Sequence, residues 1–187
     1  MQSLRLHWLV LLLLAGIATA FAQPARVYLV RHGEKPDEGD HLSPRGEERA
    51  AALAIALCLR PSFTDRGLPA ALYGKKPADE APSLRSVQTL VPLSKRLGLP
   101  VIDRFTIDKY PEMVREILSE KDLRGKVVVI SWEHKRFPGM VREFGVTTGP
   151  DKWPSDLYDR IWVIDFNDGK PVFRDLPQRL LFGDSAT

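Results

Sequence analysis

Two arginines and two histidines, remote from one another along the chain, occupy comparable places in its pattern. Arg31 and His32 follow one apolar run, Arg85 follows a second, and His134 follows a third. Guanidinium groups offer planar forks of N–H donors that fit oxyanions. With two imidazoles folded in beside them, the four side chains would form one anion-binding pocket. A metal centre is not expected. His41 and His32 have no closely spaced His partner, no cysteine cluster supports them, and there is no HxxxH helix.

The elements that must position these groups are legible in the pattern. Residues 25–30 are branched and aromatic, so a strand delivers His32 at its carboxyl end. Ser43-Pro44 reads as an N-cap followed by proline in the first turn, and Ala50, Leu53, Ala54 and Leu57 recur at helical spacing, which predicts a helix from Pro44 to about Leu59. Pro61 ends it, and residues 70–73 read as a short strand before the turn-prone 74–77. A second helix carries Arg85 in its first turn, with Val87, Leu90, Val91, Ser94 and Leu97 on one face, Gly98 at its C-terminal stop, and Pro92 near its start or at a kink. Pro111 opens a third helix with Met113, Val114, Ile117 and Leu118 inward. Val127 to Ile130 is typical of a central strand, and it leads to Glu133 and His134. Two β-prone runs, 161–166 and 172–174, flank the turn 167–170 and predict a C-terminal edge hairpin. The expected fold class is α/β, a mostly parallel sheet with helices on both faces and the site beyond the carboxyl ends of the strands.

Composition restricts the setting. A chain of 187 residues, 44% hydrophobic and 27% charged, fills one catalytic domain. The first 22 residues carry Arg5, an apolar run from Leu9 to Ala15 and the closing pattern Ala20-Phe21-Ala22, which reads as a signal peptide cleaved after Ala22; an uncleaved N-terminal anchor is the competing reading. The division is therefore residues 1–22 as signal and 23–187 as one domain. Cys58 stands alone in an apolar helical stretch and reads as a small buried hydrophobe. A chain exported without disulfides suits a bacterial envelope better than a eukaryotic secretory route. The formal charge of +3 falls to +2 once the segment holding Arg5 is removed, too little for a nucleic-acid partner.

The residues quoted above carry a resemblance. Leu29-Val30-Arg31-His32-Gly33-Glu34 looks like the RHG signature of the histidine phosphatase superfamily, which also holds the cofactor-dependent phosphoglycerate mutases. Leu42-Ser43-Pro44-Arg45-Gly46, the segment Ser83-Leu84-Arg85-Ser86-Val87-Gln88-Thr89, and the strand leading to Glu133-His134 are similar to three further segments of that family, in the same order over residues 26–134. Lys135 stands where the family usually has glycine after the second histidine. The resemblance implies a phosphoglycerate mutase-like fold and hydrolysis of phosphomonoesters without a cofactor. By it, His32 is the nucleophile that becomes phosphohistidine, Arg31 and Arg85 hold the phosphoryl group, and His134 donates to a nonbridging oxygen. A leaving alkoxide also needs a proton donor. Glu133 is the preferred candidate, ahead of Glu34, Asp79, Glu80, Asp108 and Glu112.

Only 49 positions separate Arg85 from His134, where family mutases carry longer insertions, so an open pocket and hydrolysis are expected rather than return of the phosphoryl group to substrate. Lys75, Lys76, Lys135 and Arg136 are expected along the approach and favour polyanionic substrates: a phosphorylated small molecule, a glycolipid or a phosphoprotein, in the periplasm or outside the cell. Two alternatives have distinct signatures. An idle phospho-ligand-binding module binds without turnover, and a phosphotransferase or mutase moves phosphate to an acceptor.

Overall fold

In the computed structural model, residues 23–185 are described; the expected signal segment 1–22 and residues 186–187 lie outside them. Strand β1 (Arg26–Arg31) is buried along its whole length, as is β4 (Val127–Trp132), and the two pair in parallel at the centre of a six-stranded sheet. Strand β2 (Pro69–Gly74) adds to the other side of β4, and the two-residue β3 (Val101–Ile102) to β2, both in parallel. Strands β5 (Arg160–Asn167) and β6 (Lys170–Pro177) form an antiparallel hairpin, giving the order β3-β2-β4-β1-β5-β6.

The expected hairpin is present, but only β6 is an edge. β5 pairs antiparallel with β1, and its run of six buried residues, Ile161 to Phe166, is that of a strand covered on both faces.

Side-chain alternation divides the core. Val27 and Leu29 of β1 join Val128, Ile130 and Trp132 on one face, beneath α4 (Tyr110–Ser119) and α5 (Phe137–Glu143). Tyr28 and Val30 face the other way with Val127 and Val129, against Leu53 and Leu57 of α1 (Pro44–Leu59) and Leu90 and Leu93 of α3 (Arg85–Leu97). Ser43 caps α1 as expected, its Oγ accepting from the Gly46 N–H at 3.2 Å. Cys58 is partly buried and packs against this second cluster.

Helix α3 differs from expectation in the face it buries. Ser86, Thr89, Leu90 and Leu93 are buried, whereas Val87, Val91, Ser94 and Leu97 are half-buried, and Pro92 lies inside the helix. The cause is polar: Thr89 Oγ1 accepts from the Gly33 N–H at 2.9 Å and donates to the Arg85 carbonyl at 2.8 Å. The helix is turned to serve the loop after β1, so apolar periodicity alone misplaces its inner face. Gly98 ends it with a φ of 68°, as its predicted stop requires. A single turn, α2 (Pro61–Thr64), follows Pro61, where a loop is expected.

Candidate active site

Three parallel strands end side by side at one rim of the sheet. β1 runs out into His32, β4 into Glu133 and His134, and β2 into Lys75. Two bonds continue the ladder past the strand ends: the His32 N–H donates to the Trp132 carbonyl and the Lys75 N–H to the Ser131 carbonyl, each at 3.3 Å. Beyond the rim lies a cavity of about 360 Å³ whose wall includes Arg31, His32, Arg85, Glu133 and His134. All five residues singled out in the sequence therefore line one cavity.

The turn after His32 depends on two glycines packed backbone to backbone. A Cβ on Gly33 would lie 2.7 Å from the Gly46 carbonyl oxygen, and a Cβ on Gly46 would lie 2.4 Å from the Glu34 oxygen. The first turn of α1 thus presses on the chain just past the nucleophile candidate, and the Ser43 N–H donates to the Glu34 carbonyl at 2.9 Å. The Glu34 side chain is committed to structure: Arg49 binds it with Nε at 3.0 Å and Nη2 at 2.8 Å, and binds Asp184 on its other side at 2.8 Å. Asp108 pairs with Arg136 at 2.7 Å and Glu112 with Lys109 at 3.0 Å. Of the acids named from sequence, Glu133 alone lines the cavity; Asp40, on the loop after β1, lines it as well.

His32 is 8% exposed, and its Nδ1 lies 2.8 Å from its neighbour's carbonyl, Gly33 O. A carbonyl can only accept, so Nδ1 carries the proton and Nε2 keeps a lone pair. Burial drives its pKa down to about 4; the Gly33 bond opposes this, while the charges of Arg31, Arg85 and His134 add to it. The imidazole is accordingly neutral at neutral pH. His134 is also lowered to about 4, by burial and then by Arg31 and Lys135.

Arg31 is clamped from behind. Its Nη1 donates to the carbonyls of Ser155 at 2.6 Å and Leu157 at 3.0 Å, and its guanidinium lies 3.7 Å from the ring centroid of Tyr158. Tyr158 also sits 6.1 Å, ring to ring, from His32. Arg85 opens α3, so the positive end of that helix dipole borders the cavity, and its Nη1 donates to the Gly39 carbonyl at 2.8 Å. Among the described residues, Arg31 Nε, Arg85 Nε and His134 Nδ1 have no hydrogen-bond partner. Cationic wall residues, Arg31, Lys35, Lys75, Arg85 and Lys135, outnumber the acidic Asp40 and Glu133. An arrangement of neutral imidazole, paired guanidiniums and surplus positive charge can hold a phosphoryl dianion and attack it.

Two of the four cations expected along the approach, Lys75 and Lys135, line the cavity. Lys75 is not a solvated surface residue: it is 3% exposed, and its Nζ donates to backbone carbonyls. Arg136 is engaged with Asp108 instead. His41 stands apart, its Nδ1 accepting from Gln88 Nε2 at 2.8 Å. Sequence reasoning missed Lys35, Asp40 and Tyr158. The first two lie within eight residues of His32, a proximity that could have flagged them, whereas nothing local marks Tyr158, which arrives from beyond α5.

No protein-family model and no curated protein matches the sequence. The fold, by contrast, is the mixed α/β, phosphoglycerate mutase-like one of solved phosphatases. Among solved structures, the protein histidine phosphatase SixA complexed with tungstate aligns over 82% of this chain and 97% of its own, with a TM-score of 0.55 and 18% identity. A candidate alpha-ribazole-5'-P phosphatase from Escherichia coli K-12 aligns over 85% and 98%, with a TM-score of 0.53 and 16% identity. A phosphoserine phosphatase variant from Entamoeba histolytica, in complex with phosphoserine, aligns over 84% and 99%, with a TM-score of 0.50 and 13% identity.

Proposed function

We propose that this chain hydrolyses phosphomonoesters through a phosphohistidine on His32. The observation that carries the reading is the convergence of Arg31, His32, Arg85 and His134, from three remote segments, on one cavity in which the His32 Nδ1 bond leaves Nε2 unprotonated. In the first step Nε2 attacks phosphorus and the bond to the ester oxygen breaks. Arg31, Arg85 and His134 stabilise charge on the nonbridging oxygens, and Glu133 in its acid form gives its proton to the departing oxygen. In the second step Glu133 takes a proton from water as the water oxygen attacks phosphorus. The P–N bond breaks, and neutral His32, protonated Glu133 and inorganic phosphate result.

Hydrolysis is favoured over transfer because the chain between Arg85 and His134 is spent on α3, β3, α4 and β4. Met113, Val114 and Ile117 bury α4 against the sheet, so this segment contributes no domain that would cover the cavity. No helix among the described residues is long and apolar enough to cross a membrane. The signal-like residues 1–22 support export to the bacterial envelope, which sequencing the N-terminus of the protein recovered from periplasm would test. An N-terminus still at Met1 in the cytoplasm would refute it.

The activity is tested with p-nitrophenyl phosphate, comparing wild type with His32→Ala and measuring phosphate released per ester consumed. One phosphate per ester, lost in the variant, is expected. Binding without His32-dependent turnover would support the sensor, and release of less than one phosphate per ester would support transfer.

A further inference from the structure

Lys75 is a buried cation that the steps above do not use. It leaves the end of β2 at 3% exposure, and its ammonium donates to the carbonyls of Ala81 at 2.5 Å and Lys76 at 3.3 Å. Both acceptors belong to the short loop leading to α3, which an Ala78–Ala81 bridge closes. Neither is charged, and among the described residues no carboxylate forms an ion pair with Lys75. An ammonium has three donors, and a buried full charge held only by neutral dipoles costs free energy that a nearby anion would offset. Burial holds this ammonium below the usual lysine pKa, with the Glu133 carboxylate opposing that shift.

The register of the sheet says which part of a substrate Lys75 would meet. Arg31 lies abreast of Trp132, and Gly74 abreast of Ser131, so Arg31 and Lys75 flank Trp132 in one row, on the same face of the sheet. They are two strand spacings apart, roughly 9–10 Å. Arg85 acts electrostatically on both His32 and Lys75 and so lies within reach of each. A phosphoryl group held at His32 by Arg31 and Arg85 would leave Lys75 facing the remainder of the molecule.

We propose that Lys75 is a specificity-determining residue that binds a second anionic group of the substrate, so that the site prefers phosphomonoesters bearing another carboxylate or phosphate. This rests on the phosphatase reading. It also gives the surplus of positive charge on the cavity wall a purpose that a single phosphoryl group does not require.

The test uses three esters with the same kind of alkyl leaving oxygen: propyl phosphate, phosphorylated hydroxypropionate and propanediol bisphosphate. For the wild type, kcat/KM for the two esters with a second anion should exceed that for propyl phosphate by about tenfold or more. That ratio should collapse to about twofold in Lys75→Met and in Lys75→Gln, the latter keeping a donor for Ala81, and should persist in Lys75→Arg. Circular dichroism melting establishes that each variant is folded. A role confined to anchoring the loop would lower all three rates alike and leave the ratio unchanged, and that result, or a ratio that survives Lys75→Met, overturns the proposal. If none of the esters shows His32-dependent turnover, the phosphatase reading fails. Calorimetric affinities for the same three compounds then decide Lys75 by the same ratio.

Discussion

Lowering the pH should leave His32 uncharged well below the range in which histidines normally protonate, and that resistance can be measured directly. Displacement from 6.5 to about 4 disfavours the imidazolium by about 3 kcal/mol, at about 1.4 kcal/mol per pH unit. At pH 5 about nine molecules in ten would keep Nε2 free, against about one in thirty for an unperturbed histidine, a roughly thirtyfold difference in competent nucleophile. Stability follows with a definite sign. Between pH 6.5 and about 4 the unfolded chain takes up a proton that folded His32 refuses, so stability falls as pH falls, by up to about 3 kcal/mol from this residue, and is fully present above pH 6.5. Nitrogen-resolved NMR of the imidazoles, with His32→Gln to assign the signal, reads the midpoint. Urea unfolding at pH 7 and pH 4.5 should show a smaller acid loss in His32→Gln than in wild type. A His32 midpoint near 6.5, or an identical acid loss in the variant, would refute the reasoning that burial and the surrounding cations keep this ring neutral.

Three further outcomes are expected. Gly46→Ala drives a methyl group to 2.4 Å from the Glu34 oxygen and should cost about 1–3 kcal/mol in denaturant unfolding, together with most of the activity, because the turn after His32 must move; wild-type stability in this variant would contradict the packing described. Asp184 is pushed up by burial, but hydrogen bonds from Arg49 and from the N–H groups of Leu181 and Leu180 outweigh this and hold its pKa near 2. Its contribution is therefore present above about pH 3.8 and lost as pH falls through about 2. Asp184→Asn should cost about 3–5 kcal/mol in thermal or urea unfolding, since Arg49 is left buried with half its counter-charge. Tyr158→Leu removes the ring beneath Arg31, worth about 1 kcal/mol, and should lower kcat/KM roughly fivefold while Tyr158→Phe retains it; an equal loss in both variants would assign the effect to the hydroxyl.

What could be read in advance follows from the range of the interactions involved. β1 and β4 announce themselves because a strand covered on both faces must be apolar throughout, and the residue that ends such a strand is placed at the rim by connectivity alone; His32, Glu133 and His134 were visible for that reason. Helix α1 runs from Pro44 to Leu59 as expected, because its cap and its apolar spacing agree. The inner face of α3 was misread because Thr89 is buried to bond Gly33, a need that arises only once the loop after β1 is in place. Lys75 was expected along the approach, but its burial was not, because lysine is ordinarily solvated and here the burial depends on backbone carbonyls supplied by a loop six residues on. Arg49 reaches from Glu34 to Asp184, which lies 135 positions further along the chain than Arg49, and no local pattern encodes that contact.

The central claim is a covalent bond between phosphorus and Nε2 of His32, and trapping it is the most direct test. Wild type mixed with p-nitrophenyl phosphate, quenched in alkaline detergent within milliseconds and digested for mass spectrometry, should yield a phosphorylated peptide containing His32, with Nε2 as the bonded nitrogen. The species should be absent from His32→Ala and should appear and decay at rates that account for turnover. Steady hydrolysis with no phosphorylated His32, or with the label on His134, would contradict the account.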